Sequence, residues 1–361
     1  HTLGLRHNFK ASSLYTLEEI NSVDIRGKKP FTASVMDYNP VNFNMESGDV
    51  QGDFAMIGIG PYDYWAIEYG YTTGDTAEVL ARAGEPANAY LTDEDTNGPD
   101  PLAKRYDFSK DPLTYAENQM RIVESLRADL LNHFVEDGDS WSKARRGYET
   151  TLRMQISAAS MMSDWIGGAH TNRNKKGDFG DEDIAPVQVV PVAQQRAALA
   201  FIVDNIFNEE AFALSPHLIT HFNVDKWYEG GGDSGEATWP IHDRILGTQA
   251  SMITSILAPS RLRMVADNEL IVAADEDALT VAEVFQTLMD AIYSDMDTNG
   301  SWTNRQPMIS SFDRNLQAEM ANRLVGLSTG KVSQSREVRS LALYHTRQLY
   351  NDIGELLDDS N

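Results

Sequence analysis

Two stretches after Asp111 leave this chain little freedom in what it can fold into. "DPLTYAENQMRIVESLRADLLNHF" brings an apolar side chain back every three or four positions, and "SWSKARRGYETTLRMQISAASMMSDWIGG" does the same before ending at Gly167 and Gly168. That period is helical. Asp111 followed by Pro112 is a start signal and the paired glycines are a stop. Joined by "VEDGD", the two segments predict an antiparallel helical hairpin. Helical patterns resume over 193–208, 215–222, 241–257, 278–294, 308–326 and 333–357. The one β-like region lies near 167–192, where "VQVVPV" alternates as a strand does and Pro191 restricts it to a sheet edge. The glycine-rich "YEGGGDSGEATWP" at 228–240 reads as a loop. The expected fold class is mainly α, a multi-helix bundle with one small β-hairpin region.

Composition narrows the function classes. With 361 residues and 42% hydrophobic side chains, the chain can bury a sizeable core. A formal charge of -24, with lysines and arginines scattered, excludes a surface that could displace counterions from nucleic acid. Its longest apolar run, "AALAFIVDNIF", is interrupted by Asp204 and falls well short of a membrane span. The absence of cysteine leaves a metal only histidine, aspartate or glutamate as ligands. It also allows an oxidising compartment, and an extracytoplasmic location, periplasmic or secreted, is expected.

The opening "HTLGLRHNF" carries the chemistry. His1, Gly4 and His7 fit the second half of H-E-x-x-H-x-x-G-x-x-H, in which histidines one helical turn apart face one metal. Glycine ends that helix in a conformation a side chain would penalise, so that the last histidine swings back towards the metal. By itself H-x-x-G-x-x-H also describes a core histidine plus a surface one. "SVMDY", Ser34 to Tyr38, follows in the same chain order.

Together these residues resemble the metzincin zinc peptidases, which pair the long histidine motif with a methionine-bearing turn beneath the metal. The resemblance implies that His1 and His7 are zinc ligands. Met36 then floors the site without binding metal, and Tyr38 swings to the metal or donates to the developing oxyanion. The competing reading of Tyr38 is a phenol hydrogen-bonded locally under the turn. Within the metzincins, "HTLGLRHNFKAS", "SVMDYNPVNF", "GPYDYWAIEYGY", "YLTDED" and "IGG" with "PVQVVPVAQQRAAL" are similar to a bacterial met-zincin-like group of unknown function.

The resemblance implies a division into residues 1–75, the C-terminal part of a metzincin catalytic domain, and residues 76–361, a helical domain with the β-like insertion. It also implies a zinc-dependent endopeptidase acting on peptide or protein substrates through metal-activated water. The motif's glutamate base and first histidine would precede His1, so the missing N-terminal portion of the same protein is an expected partner. This polypeptide is then expected to bind zinc weakly and to be inactive by itself. One remaining helical turn should also hold residues 1–10 poorly. The alternative is a noncatalytic helical binding or scaffold module.

Three further features complete the reading. "SSLYTLEEINS" predicts a short helix capped by Ser12 or Ser13. D-x-D-x-N-G occurs at Asp93, Asp95 and Asn97 and again at Asp295, Asp297 and Asn299, a calcium-loop opening. The bidentate glutamate of such a loop is replaced by Lys104 and Gln306, so calcium competes with a solvated acidic turn. His217 and His221 also stand one turn apart, without an intervening glutamate.

Overall fold

The computed structural model describes residues 1–45, 48–178, 184–225, 238–297 and 301–359. By packing, the chain divides into two units: residues 1–123 with 168–190, and residues 124–167 with 191–361. Among the described residues no helix is long and apolar enough to cross a membrane.

The first unit contains little regular structure. Helix α1 is a single turn, Leu17–Ile20, α2 spans Pro61–Tyr71 and α3 spans Ala77–Ala81. Helix α1 is capped by Thr16, whose hydroxyl accepts the Glu19 amide while the Glu19 carboxylate accepts the Thr16 amide at 2.8 Å. The cap is therefore not Ser12 or Ser13: Ser12 is buried in a 3-10 turn, Ala11–Leu14, where its hydroxyl donates to Asp107. Helix α2 begins at Pro61, as its fixed φ favours. The β-like region forms an antiparallel pair, β1 Ala169–Thr171 and β2 Val187–Val189, with Ala169 opposite Val189. The core of the unit includes Phe9, Ile20, Phe31 and Phe108, and the Phe31 and Phe108 rings meet edge-on at 5.0 Å.

Buried backbone polar groups must find partners. Here buried asparagines supply many of them. Asn21 Oδ1 accepts the Gly52 amide at 2.9 Å and Asn42 Nδ2 at 3.0 Å. Asn118 accepts the Met45 amide and donates to the Phe43 carbonyl. Asn8 donates its side chain to the Ala89 carbonyl and its backbone amide to the Met36 carbonyl.

Helix α4, Pro112–Ala128, runs from the first unit into the second. The periodic segment expected as one helix breaks at Asp129, whose φ of -137° is not helical, and resumes as α5, Leu130–Phe134. Helix α6, Ser142–Ser163, presents Gly147 to the Phe134 ring so closely that a Cβ there would lie 2.5 Å from the ring. Helices α7 (Val192–Ile202), α8 (Pro216–Ile219), α9 (Ile241–Ile256), α10 (Pro259–Ile271), α11 (Val281–Ile292), α12 (Ser311–Ser328) and α13 (Arg336–Asp359) follow. Helix α11 buries Val281, Val284, Phe285, Leu288 and Ile292, a clean helical stripe. Helix α10 was not expected: it buries only Leu262, Val265 and Asn268 and leaves Leu270 87% exposed, so its periodicity is faint. Tyr148, Phe212, Phe222 and Trp239 pack into one aromatic cluster, with the Tyr148 hydroxyl donating to the Phe212 carbonyl. Most of the glycine-rich loop, residues 226–237, lies outside the described residues.

Candidate metal centre

The centre begins with how residues 1–9 are held. His1 to Gly4 form a tight turn closed by the Gly4 amide on the His1 carbonyl at 2.9 Å, and Gly4 takes a φ of +86°. Nothing would touch a Cβ at Gly4, so the glycine is required by its left-handed backbone. The segment is pinned at both ends. Tyr71 donates to the Leu3 carbonyl, and the Phe9 amide pairs with the Leu91 carbonyl at 2.8 Å. These tertiary contacts replace the helical turn expected around His1.

The Met36 turn lies directly against this segment. The Asn8 amide donates to the Met36 carbonyl at 3.1 Å. The turn is braced by Asp63 of α2, which sequence reasoning did not single out. Asp63 accepts from Ser34 Oγ at 2.6 Å, the Val35 amide at 2.9 Å and the Gly60 amide at 2.8 Å. Ser34 Oγ in turn accepts the Met36 amide.

Three predicted side chains converge. The rings of His1 and His7 meet edge-on with centroids 4.8 Å apart, and Tyr38 packs on His7, also at 4.8 Å. The Tyr38 hydroxyl lies 2.9 Å from His7 Nε2. His7 Nδ1 lies 2.9 Å from Asp93 Oδ2, and His1 Nδ1 lies 2.9 Å from the Leu5 carbonyl. Carboxylates and carbonyls only accept, so each Nδ1 donates. In a neutral ring each Nε2 then carries the lone pair. Tyr38 accordingly donates to His7 Nε2. Two imidazoles oriented through Nδ1, each with a basic Nε2, are a donor set that suits zinc.

The acidic loop meets cations from elsewhere in the unit. Asp93 accepts from Arg105 as well as His7, Glu94 from Arg6, and Asp95 from Arg173. The hydrogen bond from His7, followed by that from Arg105, holds the Asp93 carboxyl below its usual range. Asp95 also accepts the Thr92 amide at 2.8 Å, and Asn97 ends the 3-10 turn that Asp93 begins. Among the described residues no three His, Asp or Glu side chains gather to hold a metal, at the histidines or in this loop. Of the second acidic loop, Asp295 lies beside Asp313, while Asn299 and the side chain of Asp297 lie outside the described residues. Just beyond α8, His221 Nδ1 donates to the carbonyl of His217, which lies on that helix, at 2.7 Å.

Asp37 of the turn forms a buried carboxyl pair with Asp107. Ser12 donates its amide to Asp37 and its hydroxyl to Asp107. Burial pushes the Asp37 carboxyl up to about 7, against hydrogen bonds that oppose the rise, and raises Asp107 well above its ordinary value, helped by the nearby Asp37 charge. A carboxyl raised in the folded state contributes stability that is full below its unfolded pKa near 3.8 and is lost as pH climbs through about 7. The expected result is a first unit that melts lower at pH 8 than at pH 5. Asp37→Asn gives up one of two backbone bonds at every pH but flattens that slope, as calorimetry of both proteins across pH 4 to 8 would read. Parallel slopes would contradict it.

A histidine segment hydrogen-bonded to a methionine turn, in a mainly helical chain with one small hairpin, puts this protein in the metzincin-type class. The chain belongs to the Met-zincin family, whose model matches residues 1–300. No curated protein and no solved structure matches it.

Proposed function

We propose that this chain carries the C-terminal part of the active site of a zinc-dependent endopeptidase, acting on peptide or protein substrates outside the cytoplasm. The observation that supports it most is the convergence of His1, His7 and Tyr38 beside the Met36 turn, with both Nδ1 atoms tied and both Nε2 atoms basic. His1 and His7 hold the metal through Nε2. The preceding glutamate and first histidine of the long motif belong to a longer polypeptide in this reading. Zinc, when bound, supplies Lewis acidity at the scissile carbonyl.

The chain's own groups do the remaining work. Tyr38, 40% exposed, leaves His7 and donates its hydroxyl hydrogen to the carbonyl oxygen as charge develops there. The Met36 turn keeps the histidine segment and Tyr38 in register through the Asn8 and Asp63 hydrogen bonds. The test is zinc content and casein hydrolysis of a polypeptide extended upstream by the missing motif residues. Tyr38→Phe in that protein is expected to lower kcat about 100-fold with little change in KM. An extended protein that holds no zinc would defeat the enzymatic reading; full activity in Tyr38→Phe would defeat only the role of the phenol.

A further inference from the structure

We infer that Asp93 is a positioning residue for His7: it fixes the imidazole as the Nδ1–H tautomer and thereby aims the Nε2 lone pair into the centre. The inference rests on the zinc reading above and adds to it a residue from a loop 86 positions away in the chain.

The placement is built rather than incidental. The backbone pairing of Phe9 with Leu91, and the side-chain bonds of Asn8 to Ala89 and Leu91, bring the loop alongside the histidine segment two residues before Asp93. Thr92 then opens the 3-10 turn on which Asp93 stands, its amide closed by Asp95. Asp93 uses both oxygens. Oδ2 accepts from His7 at 2.9 Å and Oδ1 from Arg105 at 3.0 Å. The Arg105 guanidinium lies 4.9 Å over the Phe9 ring, and Phe9 stacks on His7 at 5.1 Å. His7, Asp93, Arg105 and Phe9 therefore form a closed ring of contacts that fixes the imidazole in plane and in tautomer.

The two histidines differ in this respect. His1 Nδ1 is held by Leu5 in its own turn, whereas His7 depends on a group brought in by tertiary structure. Without the carboxylate, the Tyr38 hydroxyl could donate to Nε2 or accept from it, and the ring would have no preferred tautomer. Carboxylates behind metal-bound imidazoles typically change metal affinity by about 10- to 100-fold.

The experiment uses the 361-residue chain labelled with 15N-histidine, with His7 assigned by its loss in His7→Gln. Long-range 1H–15N spectra of the metal-free protein read the tautomer, and competition with a chromophoric chelator reads zinc affinity. In Asp93→Ala the Nδ1–H preference is expected to collapse to a mixture and zinc affinity to fall about 10- to 100-fold. Asp93→Asn, which retains one acceptor oxygen, should recover part of both. If Asp93→Ala leaves either the tautomer or the affinity unchanged while His7→Gln weakens zinc, the positioning role is overturned and the zinc reading stands. If zinc affinity is the same in wild type and His7→Gln, or neither binds zinc, His7 is no ligand in this chain and the positioning role is overturned, whereas the zinc reading is decided by the extended protein.

Discussion

Gly60→Ala is expected to dismantle the Met36 turn, because the added methyl has nowhere to go. Its Cβ would lie 1.9 Å from the Ala33 carbonyl oxygen, 2.1 Å from its carbon and 2.6 Å from the Ser34 nitrogen, all of them backbone atoms. No rotamer relieves such a contact; the strand of chain entering the turn has to move by an ångström or more. That movement breaks the Tyr62 amide to Ala33 carbonyl bond at 3.0 Å and pulls Ser34 and Val35 away from Asp63. The cost is expected to be at least about 4 kcal/mol, the range reached by severe overpacking. Hydrogen exchange by mass spectrometry should show residues 31–38 and 60–66 losing nearly all protection. Gly70→Ala serves as the control: nothing lies within 4 Å of its Cβ, so a helix-favouring alanine there should leave exchange unchanged or slower. Equal protection at residues 31–38 in both variants would refute the clash.

Asp63→Ala should come close to it by a different route. The substitution removes one acceptor group and strands three donors, Ser34 Oγ, the Val35 amide and the Gly60 amide. Asp63 is 3% exposed, so water cannot readily take its place. At about 1–3 kcal/mol for each buried donor left unpaired, discounted because the losses are not additive, the expected cost is about 3–5 kcal/mol. Exchange in residues 33–38 should then accelerate between about 150- and 5,000-fold, at about 1.36 kcal/mol for each factor of ten. Asp63→Asn keeps one acceptor oxygen and should lose about half as much. A variant with wild-type protection would mean that the turn holds itself up without α2.

What the sequence revealed and what it hid follow from the range of the interactions. Gly4 was legible because a left-handed residue between two histidines is a local requirement, and Tyr38 because it sits two positions from Met36. Helix α2 was legible through Pro61, and α11 through an unbroken apolar stripe. Asp93 was visible as an acid in a cation-loop pattern and within the family-like "YLTDED", neither of which pairs it with His7. The arginines that meet the loop, Arg6, Arg105 and Arg173, come from other parts of the chain, and no local pattern announces them. Asp63 was hidden inside an aromatic helix segment whose rings drew attention instead. The break at Asp129 is a departure of one residue from helical φ and ψ, and no proline or glycine marks it. Ser12 looked like a cap because its hydroxyl was assumed available, whereas folding commits it to Asp107.

The asparagines of the first unit have a consequence for uniqueness. A hydrogen-bonded ladder can slide by two residues and remain a ladder, with every side chain still on its original face. An amide that joins the carbonyl of Phe43 to the amide of Met45, or Asn42 to Gly52, has one address only. Misalignment by any number of residues forfeits those bonds outright, so loops without sheet structure acquire a single permitted threading.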